Sequence, residues 1–67
     1  MYEKRTDLIE RRNLVGLTNR DLATALNEPP STTGGRLCGF LPLTKEQEKI
    51  IIQVLQDAER KKEEGTF

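Results

Sequence analysis

The chain has no histidine, no tryptophan and a single cysteine, Cys38, in 67 residues. A lone thiol cannot close an internal disulfide, which excludes a stapled secreted scaffold. One Cys without any His cannot supply the four ligands of a structural zinc site, so no metal is expected. Cys38 has no imidazole to activate it as a nucleophile and is expected as a small buried apolar residue. Carboxylates such as Glu46 and Glu48 fall on a charged helix face with no pocket to work in, so neither catalysis nor a cofactor is expected. Aromatics are also scarce: Tyr2, Phe40 and Phe67. Leu, Ile, Val and Ala must therefore build the core, which favours packed helices over a sandwich. No apolar run approaches the roughly 20 residues that span a bilayer. The first residues lack the apolar stretch of a signal peptide, and a cytoplasmic location is expected.

Net charge is absent too, with eleven basic and eleven acidic residues. Chains that bind polyanions usually carry a basic excess, so the distribution matters more than the sum. Arg11, Arg12, Arg20 and Arg36 lie in the first two thirds, while Glu46, Glu48, Asp57, Glu59, Glu63 and Glu64 crowd the last third. That asymmetry permits a basic face. A chain this short buries only about 60% of its unfolded surface, so it forms one domain with a small core.

Four segments are legible along this domain. Leu8 pairs with Val15 and Tyr2 with Ile9 at sevenfold spacing, which predicts a helix over about 3–14, closed by Gly16. Thr18 and Asp21 form a capping-box pattern ahead of Leu22, Ala23 and Leu26, predicting a helix over 18–27 with Leu17 stapled onto Leu22. Asn27 ends it, and Pro29-Pro30 blocks continuation. Ser31 is a suitable N-cap for a third helix over 31–38, anchored by Leu37. Gly34 and Gly35 inside it cost roughly 1 kcal/mol each relative to Ala, so tertiary packing has to hold it. Gly39 is expected as its stop. Thr44 and Gln47 form a second capping box, and Ile50, Ile51, Val54, Leu55 and Ala58 then trace an amphipathic helix over 45–62. The residues 63–67 are expected to fray.

The run Gly16-Leu17-Thr18-Asn19-Arg20-Asp21-Leu22-Ala23, then Leu26, a turn, Pro30-Ser31-Thr32 and Arg36-Leu37 resembles the helix-turn-helix of the phage-repressor/Cro family, the lambda repressor-like DNA-binding domains. Gly39 to Thr44, with Pro42 and Leu43 leading into the last helix, matches the family's glycine-containing turn. The resemblance covers about Leu8 to Leu55. It departs in one extra turn residue (Pro29 or Pro30) and in Gly34, which falls where the family buries a β-branched residue.

What the resemblance implies is an all-α, compact four- to five-helix bundle whose third helix enters the major groove by its N-terminal end. The implied function is sequence-specific binding of double-stranded DNA by a transcriptional regulator, a repressor of phage or mobile-element type acting in a bacterial or phage-infected cell. Thr18, Asn19 and Arg20 are then the contacts at the second helix. Ser31, Thr32, Thr33, Gly35 and Arg36 are those at the third. Arg36 serves either a structural ion pair or a phosphate or guanine contact. Arg11 and Arg12 are read as a solvated face. A homodimer on a two-fold site is implied, with Ile51, Ile52 and Leu55 of the last helix as its expected seam. A second class stays open: the same scaffold re-used to bind a protein, such as a phage-encoded inhibitor of a host protein, which neutral charge and an acidic last helix also fit.

Overall fold

Two threonines start helices by the same device. The Thr18 hydroxyl accepts from the Asp21 amide while the Asp21 carboxylate takes the Thr18 N–H, and Thr44 and Gln47 repeat the arrangement. Each box satisfies amide donors that a helix start otherwise leaves without partners. The structure, a computed structural model, describes residues 1–64. Its helices are α1 (Thr6–Leu14), α2 (Asn19–Leu26), α3 (Pro30–Cys38) and α4 (Lys45–Glu63), with no strand among the described residues. The expected ends of α2, α3 and α4 agree to within a residue. Of the stretch expected to fray, residues 65–67 lie outside the described residues.

The stops are equally local. Asn27 ends α2 in the left-handed region at φ 58°, and Gly39 ends α3 at φ +92°. Pro30 occupies the first turn of α3, where its missing N–H costs nothing.

Helix α1 starts three residues later than its pattern predicts. Residues 2–5 run instead along the end of α3: the Tyr2 amide donates to the Gly39 carbonyl at 2.8 Å and the Arg5 amide to the Leu37 carbonyl at 2.8 Å. This strap satisfies two carbonyls at the end of α3, where the helix has no further amides to offer. Arg5 fixes it by ion pairs to Asp7 and Glu48.

Each helix contributes to one core. Leu8, Leu22, Leu37, Ile51 and Leu55 are all buried, joined by Ala23 and Thr33. Helices α1 and α2 each pack on both α3 and α4, and the small Ala23 lies buried on α2. Two expectations change here. Ile51 and Leu55 are completely buried and Ile52 is partly buried against the core, so these positions expected at a seam are used inside the protomer, while Ile50 of the same helix is exposed. Cys38, expected inside, is exposed. Thr33 and Leu37 take the inward positions of α3, and the next residue is turned about 100° away from them.

Half-buried charges tie α1 to α4, and carboxylates of this kind set the acid limit of the fold. Arg11 meets Glu59 through two hydrogen bonds of 3.0 and 2.7 Å. The Arg5 guanidinium holds the Asp7 carboxyl below its ordinary range, Arg11 does so for Glu59, and the Thr18 N–H followed by its hydroxyl does so for Asp21. Depressed carboxyl pKa values contribute stability above the unfolded value, and that contribution is lost as pH falls through the folded one. With no histidine in the chain, thermal stability is expected to stay flat from about pH 7 to pH 5 and to fall only below about pH 4. Melting temperatures across that range check this; a fall between pH 7 and 5 contradicts it.

Candidate nucleic-acid interface

The start of α2 lies against the middle of α3, and glycine is the reason it can. A Cβ on Gly34 would stand 3.0 Å from Asn19 Nδ2. Asn19 in turn accepts a hydrogen bond from Arg12 of α1 through its Oδ1, while Arg12 also reaches the Asn13 side chain at 2.8 Å. One amide thus links α1, α2 and the bare face of α3. Ser31 lies three residues before Gly34, about 4.5 Å along the helix axis, so the exposed start of α3 is within one turn of this junction.

The cations here are not neutralised. Among the described residues neither Arg12 nor Arg20 forms an ion pair, whereas Arg5, Arg11, Arg36 and Arg60 each meet a carboxylate. Arg20 is exposed on the first turn of α2. The one nearby acid is Asp21, and its carboxylate is engaged by the N–H and hydroxyl of Thr18 at 2.9 and 3.1 Å. Thr18 is therefore spent on the cap. The start of α3 differs, since Pro29 provides no capping side chain and Ser31 is exposed there. Two guanidiniums, an amide and an uncapped helix start make a surface suited to anionic oxygens.

Two residues expected on this surface face elsewhere. Thr33 is fully buried and its hydroxyl donates to Glu28 Oε2 at 2.7 Å. Arg36 donates through Nε to both Glu28 oxygens at 3.1 Å and through Nη1 to the Pro42 carbonyl at 2.6 Å. These bonds clamp the α2–α3 turn and the α3–α4 loop to the back of α3, so Thr33 and Arg36 position the helix and do not project from it. Gly35 also has an internal use. Phe40 and Leu41 donate their amides to its carbonyl at 2.8 and 3.2 Å, and a Cβ there would stand 3.2 Å from Leu41 Cδ1.

The structure sets Asn19 against Gly34, leaves Arg20 and Ser31 exposed at the starts of α2 and α3 with Thr32 half-buried, and spends Thr18 on the α2 cap. It withdraws Thr33, Gly35 and Arg36. Arg12, read from the sequence as merely solvated, belongs to the group instead; its partner Asn19 is seven residues away across the α1–α2 turn, a spacing with no periodic signature. The β-branched residue buried inside α3 is Thr33, four residues before Leu37 and on the same face. Set beside known protein families, curated proteins and solved structures, the chain matches none.

One substitution separates stability from binding at this surface. Gly34→Ala gains up to about 1 kcal/mol of helix propensity, while its methyl displaces the Asn19 amide from Arg12. Unchanged or raised thermal stability with weaker duplex binding is expected, measured by melting and by titration with duplex DNA. Equal binding by the variant would show that the Asn19 position is irrelevant to binding.

Proposed function

We propose that this chain is a helix-turn-helix protein that binds double-stranded DNA and regulates transcription, with α2 and α3 as the two helices and α3 as the one that enters the major groove. One observation carries the reading: Arg12 of α1 holds Asn19 of α2 at the glycine face of α3, and among the described residues neither Arg12 nor the exposed Arg20, next to Asn19 in sequence, meets a carboxylate. Phosphate contacts fix register and orientation on a duplex, and base edges are left to the groups at the helix start. Arg12, Arg20 and Asn19 take the first role. Ser31 and Thr32 take the second, and their short hydroxyls discriminate weakly, so sequence-dependent DNA shape contributes to specificity. Repression by occupying a promoter follows from the resemblance to phage repressors.

The inward-facing Thr33 and Arg36 favour a second reading, a scaffold turned to a protein partner, because they leave α3 with few side chains able to read bases. Selection from a pool of random duplexes at two salt concentrations separates the two. DNA binding predicts salt-sensitive enrichment of a short motif, with Arg12→Ala and Arg20→Ala weakening retention of all duplexes alike. No retention at low salt overturns the reading in favour of a protein partner.

A further inference from the structure

Two ties between α1 and α4 share one offset. Arg11 meets Glu59, and Lys62 Nζ donates to the Leu14 carbonyl at 2.7 Å; in both pairs the partners are 48 positions apart. Equal offsets mean that the two helices run side by side in the same direction. The last turn of α4 therefore stands at the end of α1, beside the turn that leads into α2. An open hollow there is lined by Asn13, Gly16, Ala58, Lys61 and Lys62 among others. Asn13 is also a side chain that Arg12 reaches, and the same guanidinium holds Asn19. The hollow thus adjoins the candidate nucleic-acid interface. It is open at Gly16, where a Cβ would meet nothing within 4 Å.

The charges of α4 are sorted around this end. Glu59 and Glu63 line the neighbouring hollow with Leu14 and Val15, and Glu59 is taken up by Arg11. Lys61 is two residues from each of these acids, about 200° around the helix, and lines the hollow with Asn13 instead. Asp57, one turn before Lys61, is engaged by Gln53 and Arg60, both at 3.0 Å. Glu64 ends the helix and is exposed. Lys61 is exposed as well, and among the described residues it meets no carboxylate. Lys62 spends one N–H on the Leu14 carbonyl. That bond offsets the negative end of the α1 dipole, which otherwise opposes an anion approaching Arg12.

From this arrangement we infer that the last turn of α4 is a second grip on the duplex backbone, with Lys61 contacting a phosphate at the hollow beside Asn13 while Lys62 holds the turn against α1. The inference deepens the DNA-binding reading and rests on it. A chain of zero net charge then meets a polyanion through cations gathered around the α1–α2 turn. An ammonium serves a phosphate as a point charge, so Lys61 adds affinity and no sequence preference. Counterion release for one such contact scales as about the −0.9 power of salt concentration, which is about eightfold in affinity at 0.1 M and vanishes near 1 M.

The test titrates the full chain with one duplex enriched from the random pool, over a series of salt concentrations. Lys61→Ala is expected to bind about eightfold more weakly than the wild type at 0.1 M salt, with a log–log slope shallower by about one unit. Lys61→Arg keeps the charge and is expected to stay within about twofold of wild type. Lys45→Ala removes an equal charge at the other end of α4, 16 residues or about 24 Å away, and is expected to leave the slope as it is. A wild-type slope in Lys61→Ala, or an equal loss in Lys45→Ala, overturns this inference. The DNA-binding reading still stands in that case if Arg20→Ala lowers the slope. Failure of the wild-type chain to bind duplex DNA overturns both.

Discussion

Glu28→Ala is expected to lower the melting temperature by about 10–20 °C. The Glu28 carboxylate is 11% exposed and serves two partners, the Thr33 hydroxyl and the Arg36 guanidinium, itself 18% exposed. Removing one side of a buried ion pair costs about 3–5 kcal/mol because the partner is left charged and unpaired. Arg36 keeps the Pro42 carbonyl and some contact with water, which reduces that figure, while the orphaned Thr33 hydroxyl raises it. A net loss of about 2–3 kcal/mol results, and each kcal/mol moves the melting temperature of so small a domain by roughly 4–8 °C. Glu28→Gln keeps an acceptor for Thr33 and is expected to lose about half as much. Replacing the trio together, Glu28→Leu with Thr33→Val and Arg36→Met, is expected to recover most of the stability. A melting temperature within about 3 °C of wild type for Glu28→Ala would show that the clamp is dispensable.

Gly39→Val is expected to be at least as damaging, and for a different reason. Gly39 stands at φ +92°, where a β-branched residue is strained, and a Cβ there would fall on the Tyr2 carbonyl closer than real Cβ contacts come. The strap must leave, taking with it the Tyr2–Gly39 and Arg5–Leu37 hydrogen bonds and the hold of Arg5 on Glu48. Strain of about 1–3 kcal/mol combines with about 1 kcal/mol for each lost hydrogen bond. Besides a lower melting temperature, trypsin is expected to cut after Lys4 and Arg5 much faster than in the wild type. An uncut strap, or an unchanged melt, contradicts the arrangement.

How much of this was legible in the sequence depends on the distance over which each feature is decided. The capping boxes at Thr18 and Thr44, the stops at Asn27 and Gly39, and the inward positions of Leu22 and Leu37 are settled within a turn or two of helix, and the sequence pattern places them. The strap is decided by residues more than 30 positions apart, Tyr2 with Gly39 and Arg5 with Leu37, and no periodicity announces it. Thr33 reads as one more exposed hydroxyl until Glu28 is seen above it. Ile51 and Leu55 illustrate the converse: an apolar stripe is legible, but whether it faces its own core or another chain depends on what the remaining helices bury. At the candidate interface the helix starts were legible, with Asn19, Arg20, Ser31 and Thr32. The absence of a carboxylate partner for Arg12 among the described residues was not, since it follows from which acids the other arginines have taken.

The central claim, that the surface around Arg12, Asn19 and Arg20 engages the duplex backbone, is tested most directly by the salt dependence of binding to a single duplex. The affinity of a protein that neutralises a few phosphates falls with a log–log slope of about −0.9 per contact. A slope of roughly −2 to −4 is expected for the wild-type chain, shallower by about one unit in Arg20→Ala. Binding that ignores salt, or a slope that Arg20→Ala leaves unchanged, would contradict the assignment.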